Sequence, residues 1–159
     1  MSNARPYVVL GIDKELFALD VACVHEILDL CPITRIPNAP AAFLGMIDVR
    51  KRMVPVVDLR VKLGLPAIQA TTASRIIVLD VVVGGGQRVI GLLSDRVCDV
   101  ANLIDNGIEE APDLGMRWKS KFIAGIGRLN GAFVIILDIA ELFGSDETLL
   151  LEDAVPEAV

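Results

Sequence analysis

Short β-branched runs, separated by glycine, proline and charged clusters, set the pattern along this chain. Residues 7–12 (YVVLGI), 53–57 (MVPVV) and 133–137 (FVIIL) each predict a strand. Residues 75–83 (RIIVLDVVV) and 88–95 (RVIGLLSD) flank Gly84-Gly85-Gly86-Gln87. Glycines accept positive φ cheaply, so these two runs predict a hairpin. Pro55 cannot donate to a ladder, which puts its strand at a sheet edge or turns that nitrogen outward. Predicted helices are few and short. Asp138, with Glu141 three residues on, is an acidic version of a capping box, and Gly144 stops the helix. Asp58 to Gly64 repeats that layout without the Glu. Ser145-Asp146-Glu147 starts a predicted C-terminal helix carrying Leu149 to Leu151, bounded by Pro156.

These elements recur in order. Gly45, Val54, Asp58 and Gly64 return as Gly125, Val134, Asp138 and Gly144, each eighty residues on. Upstream, Leu19, Val24, Glu26 and Ile27 return as Leu92, Val97, Asp99 and Val100, each seventy-three residues on. Preserved order argues against chance and predicts two similar small β-barrels, each too small to be comfortable alone and packed against the other.

Composition narrows the function. A chain of 159 residues with 53% hydrophobic residues can bury a core, and 4% aromatics make that core aliphatic. A net charge of −6 disfavours nucleic acid, whose phosphates need a basic face, and anionic membrane surfaces. The longest apolar stretches, such as Ile76 to Leu79, are strand length, far short of the roughly 18 residues of a membrane span. Cys23, Cys31 and Cys98 are odd in number and show no framework, which predicts free thiols in a reducing cytoplasm.

No assembled catalytic or cofactor motif emerges. His25 is the only histidine, so any nucleophilic triad must use it. Cys23 and His25, with Cys31 nearby, fall short of the four ligands of a structural zinc site unless Cys98 joins them. Gly84 to Gly86 lacks the Gly-Lys-Ser/Thr of a phosphate loop. Glu109-Glu110 and Asp146-Glu147 read as solvated or helix-start charges, and Asp58 and Asp138 as N-caps. No metal, cofactor or catalytic residue is expected.

What stands out is the basic turn Arg50-Lys51-Arg52. It reads either as a solvated tip that blunts an edge strand or as a support for a docking surface, in which Arg50 folds back onto a carboxylate. A resemblance favours the second. Residues 34–65 (TRIPNAPAAFLGMIDVRKRMVPVVDLRVKLGL) resemble the CheW family of bacterial chemotaxis adaptors. The likeness lies in Arg-aliphatic-Pro-Asn-x-Pro, a Gly-x-x-Asn-Leu-Arg-Gly-like turn, and an apolar strand ending Asp-Leu-Arg. Residues 19–28 (LDVACVHEIL), 89–100 (VIGLLSDRVCDV) and 122–143 (FIAGIGRLNGAFVIILDIAELF) resemble its other segments. The likeness runs from Tyr7 to Phe143.

The resemblance implies a mostly β fold of two SH3-like five-stranded barrels with few short helices. It implies one domain over 7–143, with halves of roughly 13–70 and 75–143, the N-terminal strand able to complete the second, and a tail at 145–159. It implies a non-enzymatic scaffold, cytoplasmic and recruited to membrane-associated receptor arrays. Its partners would be the cytoplasmic tip of a chemoreceptor and the regulatory domain of a CheA-type histidine kinase, with ring assembly with that kinase or with itself. Glu26 and Arg50 match residues beside the family's receptor-binding surface and are expected to form an ion pair. Val24, Ile27, Val97 and Val100 match apolar positions near the groove for a receptor helix. Gly45, Met46 and Met53 are assigned to the kinase-facing side. Asp48, Val49 and Lys51 depart from the family's Asn, Leu and Gly, and Ser94 from an apolar residue. Lys51 is expected to strain the turn, and Ser94→Val to be tolerated if that position is core. The departures fit an adaptor of a parallel pathway such as surface motility or gene control. The alternative class is a small-molecule-binding β-barrel.

Overall fold

The computed structural model describes residues 4–83, 86–104 and 122–143. Ten strands form two five-stranded sheets. They are β1 (Ala4–Ile12), β2 (Glu15–Asp20), β3 (Val24–Asp29), β4 (Phe43–Val49), β5 (Arg52–Asp58), β6 (Arg75–Val83), β7 (Gly86–Ser94), β8 (Arg96–Ile104), β9 (Ile123–Leu129) and β10 (Ala132–Leu137). A 3-10 turn, Val21–Cys23, joins β2 to β3. Two four-residue helices, α1 (Leu59–Lys62) and α2 (Ile139–Leu142), follow β5 and β10. The helix predicted after Ser145, the stop at Gly144 and the turn residues Gly84 and Gly85 lie outside the described residues.

The strand order is β8-β1-β2-β10-β9 in the first sheet and β3-β6-β7-β5-β4 in the second. The chain is therefore not divided near residue 70. β6 and β7 pair with β3 and β5, while β1 and β2 sit between β8 and β10. The repeat explains why. Each repeat is five strands, and each lends its first two to the other's sheet. Registers agree in detail. Val56 and Val57 pair with Gly45 and Phe43 across a bulge, and Ile136 and Leu137 pair with Gly125 and Ile123 across the same bulge. Val24 and Glu26 pair with Leu79 and Val78, as Val97 and Asp99 pair with Leu10 and Val9.

Each sheet curls toward closure. β8 and β9, the edges of the first, come into contact. In the second, Thr34 exchanges two backbone hydrogen bonds of 2.8 Å with Met46. That exchange also settles Pro55. β5 is an interior strand, not an edge. Met46 spends its N–H and C=O on Thr34, so the Met46–Pro55 pair asks for no donor from the proline. The parallel ladder to β7 begins only at Val56.

Alternation supplies three cores. Ile76 and Val78 of β6 join Ile47, Val54 and Val56 in a cluster drawn from the second sheet alone. Val134 and Ile136 of β10 join Tyr7, Ala18 and Leu103 in a cluster from the first. The intervening residues, Ile77, Leu79, Ile135 and Leu137, meet between the sheets with Phe17, Leu92 and Phe143. Both helices begin on an aspartate cap. Asp58 accepts from the Arg60 N–H and Asp138 from the Glu141 N–H. They deliver Leu59, Leu63, Leu142 and Phe143 to the central core.

Candidate docking surfaces

The turn between β4 and β5 has two residues, and both hold positive φ, 53° at Arg50 and 68° at Lys51. This is the primed geometry whose twist suits a tight hairpin. The equivalent turn between β9 and β10 uses Asn130 and Gly131, at 50° and 83°. The expected strain at Lys51 is real in this sense, because a lysine stands where the other hairpin has glycine.

Arg50 reaches from this turn to β3, with Nη2 3.2 Å from Oε2 of Glu26. β3 and β4 are opposite edges of one sheet, so the pair straps the curled sheet across its seam. The Arg50 side chain is 83% exposed and that of Glu26 18%. An ion pair so placed stabilises by only about 0–1 kcal/mol, so its main effect is to hold the guanidinium in place at the surface.

Beside Glu26, Val24 is partly buried against the central core, and so is Val97 at the equivalent place on β8. Ile27 and Val100, again equivalent, are 38% and 54% exposed. The four predicted aliphatics thus divide into two that anchor β3 and β8 to one core and two that face solvent. His25 and Cys98 fall in the bulges of these strands. His25 lies 3.4 Å from Asp80 through Nδ1. Burial pushes the nearby Cys23 thiol up, and Asp20 and Asp80 push it further, so the grouping favours an inert thiol over a nucleophile.

The residues assigned to a kinase-facing side separate. Met53 is 52% exposed. Met46 is buried in the central core and presents no side chain to a partner. Gly45 is a backbone requirement: at φ 148°, a Cβ would stand 2.1 Å from the Thr34 carbonyl oxygen. The resemblance assigns these three together, the methionines for their adaptability to a partner. Strand alternation and the bulge turn two of them inward. Phe133, the repeat equivalent of Met53, is 62% exposed and lies under the Arg128 guanidinium at 4.9 Å.

Sequence reasoning missed a charged knot. Arg60, on α1, has a buried side chain. Its Nη1 donates to Asp13 Oδ1 at 2.6 Å and Asp95 Oδ2 at 2.8 Å, and its Nε to the Pro66 carbonyl at 2.8 Å. The Asp13 N–H donates to Asp95, and Arg96 donates to the Asp13 carbonyl. Next to it, the fully buried Ser94 hydroxyl lies 2.9 Å from the Arg96 carbonyl and 3.2 Å from that of Gly11. The sequence carries no separate signal for it, since the two carboxylates lie 47 and 35 residues from Arg60.

The chain matches the model of the CheW-like domain over residues 6–147. It is 30% identical over 146 residues to a protein named Chemotaxis protein CheW from Rhizobium meliloti, covering 92% of each chain. It is 31% identical over 149 residues to one of the same name from Klebsiella aerogenes, covering 94% of this chain and 87% of that one. The crystal structure of scaffolding protein TtCheW from Thermoanaerobacter tengcongensis matches with a TM-score of 0.79 and 30% identity, over 91% of this chain and 90% of that one.

Proposed function

Because the chain belongs to the CheW-like family, we propose that it is a non-enzymatic adaptor that couples chemoreceptors to a CheA-type histidine kinase. The observation that carries this reading is the Arg50–Glu26 strap beside the exposed Ile27, with Val100 at the repeat-equivalent place on β8. An amphipathic helix of a receptor tip needs apolar contacts at helical spacing and a fixed charge to set its register. Met53 is the contact offered to the kinase's regulatory domain. Phe133, at the equivalent place on the other barrel, is a second face for assembly into rings with the kinase or with further copies. Holding two partners on one rigid body raises their effective concentration without a chemical step. The chain would act in the cytoplasm, gathered onto membrane receptor arrays through its partners.

The test is a titration of the purified chain with a receptor cytoplasmic tip. Arg50→Glu reverses the exposed charge and should weaken binding while the melting temperature changes little, since the pair stabilises weakly. Unchanged affinity would remove Arg50 from the docking surface. Asp48 and Lys51 flank it and replace the family's Asn and Gly, which favours a receptor and output of a parallel pathway such as surface motility or gene control. A pull-down with proteins of the same cell identifies which receptor and kinase are bound.

A further inference from the structure

Among the described residues, the charged knot occurs at one end of the molecule. The fold repeats itself closely enough to ask what occupies the matching place at the other end. There, Arg60 of α1 is matched by Ala140 of α2, and Asp95 of the β7–β8 corner by Ala22 of the β2–β3 corner. Ser94 is matched by Val21 and Arg96 by Cys23. Ile12 pairs with Glu15 as Val81 pairs with Arg88, so the place of Asp13 falls to Val82. Val82 is 72% exposed. Every charged member of the knot is replaced by an uncharged residue.

We propose that Arg60 is a positioning residue, a one-sided pin that sets the attitude of one barrel against the other and hence the spacing between the Ile27 and Val100 surfaces. The bonds run across the barrels. α1 follows β5 of the second sheet, whereas Asp13 is the turn between β1 and β2 of the first. Asp95 is the corner residue where the chain passes from β7 of the second sheet to β8 of the first. β8 then carries Val97 and Val100 outward from that corner. A planar guanidinium with three acceptors around it holds direction as well as distance, which one ammonium cannot. At the opposite corner the matched positions Ala22, Val82 and Ala140 are uncharged and exposed, so relative motion pivots about the pinned end. Small rotations about a fixed contact are an ordinary way for packed units to move.

The test needs no partner, so its failure is distinct from failure of the docking reading. In a chain whose three cysteines are alanine, spin labels are placed at Ile27→Cys and Val100→Cys and their distance distribution is measured by pulsed electron resonance. Arg60→Lys keeps the charge but loses the fork, and Asp13→Asn loosens the knot from its half-exposed side. Val134→Ala, within the first barrel's own core, serves as a control that lowers stability without touching the knot. The proposal expects both knot variants to widen the distribution roughly twofold and the control to leave its width unchanged. If knot and control variants behave alike, whether all widen or none does, Arg60 is a stabilising residue only and the proposal fails. Should Arg60→Lys not fold, Asp13→Asn decides by the same comparison.

Discussion

Lys51 and Gly131 occupy the same turn position in two equivalent hairpins, at φ 68° and 83°. A side chain with a Cβ costs about 1 kcal/mol or more in this region, whereas glycine enters it freely. Lys51→Gly should therefore raise stability by about 1 kcal/mol in denaturant titrations, less what a more flexible unfolded chain takes back. No gain would mean the turn relaxes its backbone to suit lysine.

Ser94→Val is expected to lower the melting temperature. The sequence reading makes this position apolar core, where valine would be tolerated. The position is core, but its hydroxyl lies within hydrogen-bond reach of the Arg96 and Gly11 carbonyls. Leaving a buried acceptor unpaired costs about 1–3 kcal/mol, more than a valine's extra apolar contact returns at a site already filled. A rise in melting temperature would restore the apolar reading.

Acid should act through Asp13. The hydrogen bond from Arg60 holds its carboxyl below the ordinary value of 3.8, helped by the charges of Arg60 and Arg96. Stabilisation of a depressed carboxylate is present above the unfolded value and lost as pH falls through the folded one. Burial raises Asp58 instead, so its protonation favours the fold as pH falls. Asp13→Asn should be less stable than the parent at neutral pH, and the two melting curves should converge as pH falls below the ordinary carboxylate range and through the lowered folded value. A gap that persists at low pH would show that Asp13 acts other than through its charge.

Cys98 should be the first thiol to react with a neutral disulfide reagent near pH 8. It is exposed in a bulge, while Cys23 is partly buried and its thiol is held protonated by burial, Asp20 and Asp80. Counting released thiolate against time in the Cys98→Ala variant checks this: the fast phase should vanish. A fast phase that survives would show that Cys23 or Cys31, both partly buried, reacts as readily as the exposed Cys98.

Period-two alternation and turn residues made half of the ten strands legible, and the repeat announced two similar units. The exchange of strands between them was not legible in the same way. Val78 and Val9 belong to equivalent strands, yet nothing in either run states which sheet it enters; that is decided by the cores the whole chain can fill. The docking positions were legible only through the resemblance, and imperfectly. Met46 and Met53 look alike as isolated methionines, and only the bulge at Gly45 and the pairing with Thr34 send one inward. Arg60 escaped notice because a single arginine in a helix turn usually points to water, and its two carboxylates come from residues distant in sequence.

The exchange of strands also governs the order in which the molecule can be made. β1 and β2 emerge first during synthesis, yet β2 runs parallel to β10 through Leu16 and Val134 and waits for almost the whole chain before its neighbour exists. Neither barrel can close around the first half of the polypeptide, since the second needs β6 and β7 as well. Such distant pairings slow folding and leave unsatisfied strand edges in the growing chain. The nascent protein should therefore stay protease-sensitive, and bound by edge-shielding chaperones, until β10 has left the ribosome.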